Sequence, residues 1–226
     1  MGKLFVIDGT DGSGKQTQFN KLKERLEAEG INIKVVSFPN YENESSSLVK
    51  MYLRGEFGQN AQEVSPYIAS TFYAADRYAT FKKDLEEYYN NGGIILADRY
   101  TTANMVHQAG KISNKEEREK FMAWLFDLEF NIYGLPKPSK VFFLNMPPEK
   151  TIELMAGREN KFSHTEVKDI HERDKSHLLD SYNAACDVAK QYGWYEVKCA
   201  PNGEIRTRED IHEEIYKIVF EEIQKN

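Results

Sequence analysis

Residues 9–17 read GTDGSGKQT, and the reading of this stretch decides the fold. Gly9, Gly14 and Lys15 occupy their places in the phosphate-loop pattern G-x-x-x-x-G-K followed by Ser or Thr. Gln16 stands where the hydroxyl residue belongs, and the hydroxyl arrives one place later, at Thr17. The pattern alone is weak, because glycine is common enough for it to arise from composition. Its flanks strengthen it. KLFVID (3–8) is an apolar, β-branched run leading into the loop, and KQTQFNKLKERLEAEG (15–30) is a helical run leading out. Strand, glycine loop, helix is the order that builds a phosphate cradle. Gly9, Gly12 and Gly14, with Ser13 among them, let successive backbone N–H groups curl around an anion. The helix N-terminus adds unpaired donors and partial positive charge, and Lys15 reaches the outer phosphates. Gln16 is a poor direct magnesium ligand. Magnesium at this loop would rely on phosphate oxygens, waters and a carboxylate, while Thr17 serves the inner phosphate.

Outward from the loop, the other strand-like runs are INIKVVSF (31–38), GIILAD (93–98), KVFFLNM (140–146) and WYEVKC (194–199). GIILAD and KVFFLNM are nearly all apolar, as strands buried on both faces are. Helical stretches lie between them. SPYIASTFYAADRYATFKKDLEEYYNNGG (65–93) has Ser65 as N-cap and Pro66 in its first turn. KEEREKFMAWLFDLEFNIYG (115–134), a run from about 166 to 191, and REDIHEEIYKIVFEEIQKN (208–226) follow. Within 115–134, Phe121, Trp124, Leu125 and Leu128 form a stripe read as core or subunit contact. Strands alternating with helices give an α/β fold, a parallel sheet with helices on both faces. Ligands of such sheets lie past the C-terminal strand ends, where Asp8, Phe38 and Asp98 fall. NYENESSS (40–47) and the charged GRENKFSHTEVKD (157–169) interrupt the pattern, yet neither is a linker, so residues 1–226 read as a single domain.

Composition narrows the function. A net charge of −6 argues against a nucleic-acid surface. The longest N-terminal apolar run is too short for a membrane span or a secretory leader. Cys186 and Cys199 form no paired motif, which fits a reduced cytoplasmic compartment and excludes a disulfide framework.

Several other residues carry chemistry. Asp98 ends a buried strand beside the loop strand, where a carboxylate suits a magnesium–water shell; Arg99 follows it and can clamp a second phosphate. An Asp–Arg pair capping a strand end is the plainer reading of that dipeptide. Tyr73 and Arg77 share one helix face, suited to stacking on a base and bonding its edge, although a core tyrosine with a surface arginine has the same spacing. Asp11 lies inside the glycine loop. In the charged stretch, Arg158 and Lys161, with Lys168 and Arg173 beyond, read by default as solvated surface. Phosphoryl transfer, however, needs cations on the migrating group, and the loop holds no arginine, so a cationic lid is expected there.

The ordered motifs IDGTDGSGKQTQ, FPNY, FYAADR and DRYTTANMVHQ, with a late basic lid, resemble the thymidylate kinases over nearly the whole chain. The resemblance implies a three-layer P-loop sandwich with a five-stranded parallel sheet and a short lid at about 157–169. It also implies a homodimer that transfers the γ-phosphoryl group of ATP, with Mg2+, to dTMP. By resemblance, Asp11 binds the deoxyribose 3′-hydroxyl, Tyr73 stacks on the base, Arg77 reads its edge and Arg99 takes the 5′-phosphate. Asn104 and Gln108 lie near base and sugar, His107 stands where a ring covers the sugar 2′-position, and Arg158 neutralises the moving phosphoryl group. CAPNGEIRTRED (199–210) resembles the segment bordering adenine. Gln16, Asn40, Tyr73 and His107 depart from the usual residues at their places, which leaves dTMP, dUMP or another pyrimidine monophosphate as acceptor. A nucleoside kinase would need a base and less positive charge. A GTP-dependent switch would need the N-K-x-D motif, which NKEE (114–117) and NKFS (160–163) both miss in the last position.

Overall fold

The computed structural model describes residues 1–58, 60–159 and 175–225. Strands β1 (Lys3–Asp8), β2 (Ile33–Ser37), β3 (Ile94–Asp98), β4 (Lys140–Asn145) and β5 (Tyr195–Lys198) form one five-stranded sheet in the order β2-β3-β1-β4-β5. Every pairing is parallel. The α/β sandwich expected from the sequence is present, with β1 at its centre.

Alternation along β1 divides the core into two layers. Phe5 and Ile7 pack with Phe19, Leu22 and Leu26 of α1 (Lys15–Ala28) and with Ile211, Ile215 and Val219 of α9 (Arg208–Gln224). Leu4 and Val6 face the other way, toward Phe81, Leu85, Tyr89 and Tyr100. The register Ile7↔Asp98 brings the carboxyl ends of β1 and β3 level, so the loops after both strands open on the same edge.

Two helices expected to be regular contain wide turns. The 65–93 stretch is α3 (Pro66–Thr80), a π turn (Phe81–Leu85) and α4 (Glu86–Asn90). The Ser65 hydroxyl caps α3 by accepting from the Tyr67 N–H at 3.3 Å. The 115–134 stretch is α6 (Lys115–Phe126) running into a second π turn, Asp127–Ile132. The cause lies in the spacing of the buried side chains. Phe81, Leu85 and Tyr89 step by four residues, and so do Phe121, Leu125 and Glu129, all of them buried. Each such step drifts about 40° around an α-helix of 3.6 residues per turn, and a π turn absorbs the drift.

Further helices occupy stretches the sequence left unassigned: α2 (Ser47–Leu53), α5 (Thr101–His107) and α7 (Pro148–Glu159). The helix expected from about 166 is described as α8 (Lys175–Gln191). Phe121 and Leu125 are core while Trp124 and Leu128 are only partly buried, so this stripe faces inward.

Phe142 is fully buried on β4, whereas Val35 on the edge strand β2 is 40% exposed. Phe142→Ala is expected to cost about 3–5 kcal/mol in urea unfolding, against less than about 1 kcal/mol for Val35→Ala. Equal losses at both positions would contradict the layered core.

Candidate active site

The glycine loop joins β1 to α1 in the shape its sequence predicts. A Cβ on Gly9 would lie 2.7 Å from Ser13 Oγ and 3.0 Å from the Leu144 carbonyl oxygen. Gly14, the residue before α1, is left-handed at φ 91 with open space beside it, so backbone conformation is what calls for glycine there. The first turn of α1 has no acidic residue and no side-chain cap, which leaves its N–H groups for an anion. Ser13 Oγ is buried without a hydrogen-bond partner.

Lys15 is 8% exposed and bends back over the loop. Its Nζ donates to the Thr10 carbonyl at 2.7 Å and lies 3.8 Å from Asp11 Oδ1. Burial, then the neighbouring Arg99 charge, lowers its pKa to about 8. Gln16 is exposed and donates along the helix to Asn20 Oδ1 at 3.0 Å, so its side chain turns away from the loop while its backbone remains in it. Thr17 is half-buried in the first turn of α1.

Arg99 follows β3 directly and is left-handed, with φ 63. That conformation costs a non-glycine residue about 1–2 kcal/mol, and strain of this kind gathers at functional sites. Its Nη2 donates to Asp11 Oδ1 at 2.6 Å and its Nη1 lies 2.8 Å from His107 Nε2. A guanidinium only donates, so Nε2 accepts and the proton of the imidazole sits on Nδ1. Burial disfavours the charge on Arg99, but Asp11, Asp8 and Asp98 outweigh it and raise its pKa. For Asp11 burial again opposes the charge, and Arg99 and Lys15 overcome it and hold the carboxyl well below its usual range. The sequence reading of an Asp98–Arg99 pair capping a strand end therefore gives way to an Asp11–Arg99 pair across the loop. Asp98 instead accepts from Ser37 Oγ at 3.1 Å.

Asp8 is fully buried; it accepts from the Gly9 N–H at 2.7 Å and from the Thr102 hydroxyl. Burial raises its pKa against the pull of Arg99, Thr102, Lys15 and Gly9. Among the described residues no three His, Cys, Asp or Glu side chains form a metal cluster. Asp98, at the end of β3 and close enough to raise the Lys15 pKa, is a carboxylate of the kind that fits an ion keeping its waters and taking substrate oxygens.

A cavity of about 170 Å³ opens beyond Arg99. Asp11, Tyr73, Arg77, Arg99, Asn104, His107 and Gln108, all picked from the sequence as acceptor-binding residues, line it. Phe38, Pro39, Tyr41, Leu53 and Ala103 complete the wall. Arg77 is 1% exposed and not a surface residue; it forms a two-pronged pair with Glu129, which is fully buried. Tyr73 packs edge-on to Tyr52, ring centroids 6.3 Å apart. Gln108 Oε1 is buried with no partner. Asp76, beside Arg77, accepts from the Asn40 N–H at 2.8 Å and from Ser45 Oγ at 2.7 Å, which ties the FPNY loop to α3.

Arg158 lies in the last turn of α7, its side chain outside the described residues; Lys161, His164, Lys168, His171 and Arg173 lie outside them altogether. Segment 199–210 meets α1 through Gln18 Nε2, which donates to the Arg208 carbonyl at 3.0 Å. Sequence reading missed Glu129 and the Asp8–Thr102 bond. Glu129 did leave a signal: it is a carboxylate in phase with the apolar Phe121 and Leu125.

The Lys15 pKa has a consequence for stability. The unfolded chain binds a proton at this amine up to about 10.5 and the folded chain only to about 8, so stability rises with pH across that window. Lys15→Met is therefore expected to stabilise the nucleotide-free protein at pH 7 by on the order of 1–2 kcal/mol. The gain should shrink toward pH 10, as read by denaturant titration at each pH; a gain independent of pH would refute the burial of a charged amine.

Comparison with known proteins agrees with this geometry. The thymidylate kinase family profile matches residues 7–191. Thymidylate kinase of Mycobacterium tuberculosis (strain H37Rv) is 30% identical over 201 residues, 88% of this chain and 86% of that protein. Thymidylate kinase of Plasmodium falciparum is 25% identical over 96% of this chain and 90% of that protein. A probable thymidylate kinase of Thermococcus gammatolerans is 25% identical over 99% and 98%. With a glycine loop, a paired arginine after β3 and a walled cavity beside them, the chain belongs to the thymidylate kinase family.

Proposed function

We propose that this protein transfers the γ-phosphoryl group of ATP to dTMP, giving dTDP and ADP. The observation that carries the reading is Asp11, bonded to Arg99 and within ion-pair distance of Lys15 where the phosphate loop meets the cavity. Two cations from different segments at one junction suit two phosphates meeting end to end.

ATP lies along the loop, with the backbone N–H groups of residues 12–17 and the Lys15 amine on its phosphates. dTMP fills the cavity, its 5′-phosphate on Arg99, its base against Tyr73, Arg77 and Asn104, its sugar near Asp11, His107 and Gln108. A phosphate oxygen of dTMP attacks the γ-phosphorus; the bond to the β-bridging oxygen breaks, and ADP leaves with that oxygen. The attacking oxygen is already anionic, so no strong base is required, and catalysis is alignment plus charge neutralisation. Lys15 and Arg99 exchange Asp11 for phosphate oxygens as substrates enter. Magnesium, held through water by Asp98, would supply further positive charge to the phosphates. Arg158 arrives from a closing lid to screen the moving group and exclude water. We read the chain as one kinase domain, working in the cytoplasm as a homodimer. Among the described residues no helix is long and apolar enough to cross a membrane.

Coupled ADP release across the common nucleoside monophosphates should show the highest kcat/KM with dTMP, and none with thymidine. Lys15→Ala should lower kcat at least about a hundredfold; a near-normal kcat would count against the assignment. Triphosphate restores the charge on Lys15, so ATP binding at pH 8–9 should take up protons, measurable by calorimetry in buffers of differing ionisation heat.

A further inference from the structure

Glu129 has no exposed surface and no part in the phosphate chemistry above. It belongs to the π turn after α6, which keeps it in phase with buried Phe121 and Leu125. A carboxylate in that position is held against the desolvation cost of a buried charge. What it gains is two partners that line the acceptor cavity, although Glu129 does not line it itself. Oε2 accepts from Arg77 Nε at 2.7 Å, and Oε1 accepts from Arg77 Nη2 and, at 3.4 Å, from Asn104 Nδ2. The same Nδ2 donates to the Ser70 carbonyl at 3.2 Å, and Arg77 Nη1 to the Tyr100 carbonyl at 3.4 Å.

We propose that Glu129 is a positioning residue that fixes the hydrogen-bond polarity of the acceptor cavity, an inference that rests on reading that cavity as the monophosphate site. An ionised carboxylate can only accept. Arg77 must therefore turn Nε and Nη2 toward it, and Asn104 must turn its amide nitrogen the same way. The guanidinium's remaining N–H groups are left as donors for the cavity, and Asn104 Oδ1 as an acceptor. A pyrimidine edge with a ring carbonyl beside an imide N–H complements that pair. A 4-amino pyrimidine, with an amino group beside an unprotonated ring nitrogen, sets donor against donor and acceptor against acceptor. Gln at position 129 would offer an N–H to the same partners, and both would be free to reorient.

The test is steady-state kinetics of the full chain with dTMP and dCMP. Glu129→Gln is expected to raise the KM for dTMP about tenfold or more and to cut the dTMP-over-dCMP preference in kcat/KM about tenfold, with the KM for ATP unchanged. Glu129→Asp keeps an acceptor-only charge and should retain the preference while still raising the dTMP KM. Should Glu129→Gln fail to fold, Glu129→Asp carries the test, and an unaltered dTMP KM in it overturns the proposal. Leu125→Ala, a core change that spares the cavity, should lose thermal stability and keep both constants; the same losses there would reduce Glu129 to a packing residue. A wild-type chain that does not phosphorylate dTMP removes the functional reading and this proposal together. An active wild type matched by Glu129→Gln in KM and preference overturns this proposal alone.

Discussion

Two cations share one carboxylate at the mouth of the site, and much of the architecture serves that meeting. Lys15 begins α1, Arg99 follows β3, and Asp11 lies in the loop after β1. They approach one another because β1 and β3 are parallel neighbours in a register that ends both strands level. A buried and a half-buried cation at such close quarters would repel strongly in a poorly polarisable setting, and Asp11 balances them. The result is a junction already charged, where, in the proposed reaction, an entering phosphate would replace a carboxylate instead of assembling a site.

Rigidity at the cavity beyond Arg99 comes from a different source. Arg77, Glu129 and Asn104 belong to α3, the π turn after α6, and α5, and their mutual bonds join three helices behind the cavity. A buried pair of this kind is a weak contributor to net stability, because desolvation offsets its attraction. Its value lies in orientation, since each group has few ways of turning once the others are placed. Asp76 does similar service at the rim, where it fastens the loop after β2 to α3.

Much of this was legible in the sequence, for identifiable reasons. GTDGSGKQT between an apolar strand and a helix leaves little choice of geometry, since Gly9 and Gly14 occupy places that no side chain fits or tolerates. Of the residues picked for the acceptor, Asp11, Tyr73, Arg77 and Arg99 were singled out by their chemistry and Asn104, His107 and Gln108 by motif resemblance, and all of them line one cavity. Periodicity failed where the buried spacing was four residues, because a window tuned to 3.6 cannot distinguish a π turn from a regular helix. It failed again at TTANMVH, too short and too polar to show an apolar face, although α5 supplies Asn104 and His107. Partnerships were the least legible. Nothing local in FYAADRY says that Arg77 will be buried, because its counter-charge sits more than fifty residues away in FDLEF.

The left-handed backbone at Arg99 sets two selective pressures against each other. Folding alone would favour glycine there, which relaxes the chain at no steric cost. Anion binding, the role proposed for Arg99, calls for a long planar cation carried on just that backbone. A glycine at this position would therefore ease the backbone while removing the proposed phosphate contact, so stability and turnover pull in opposite directions at one residue.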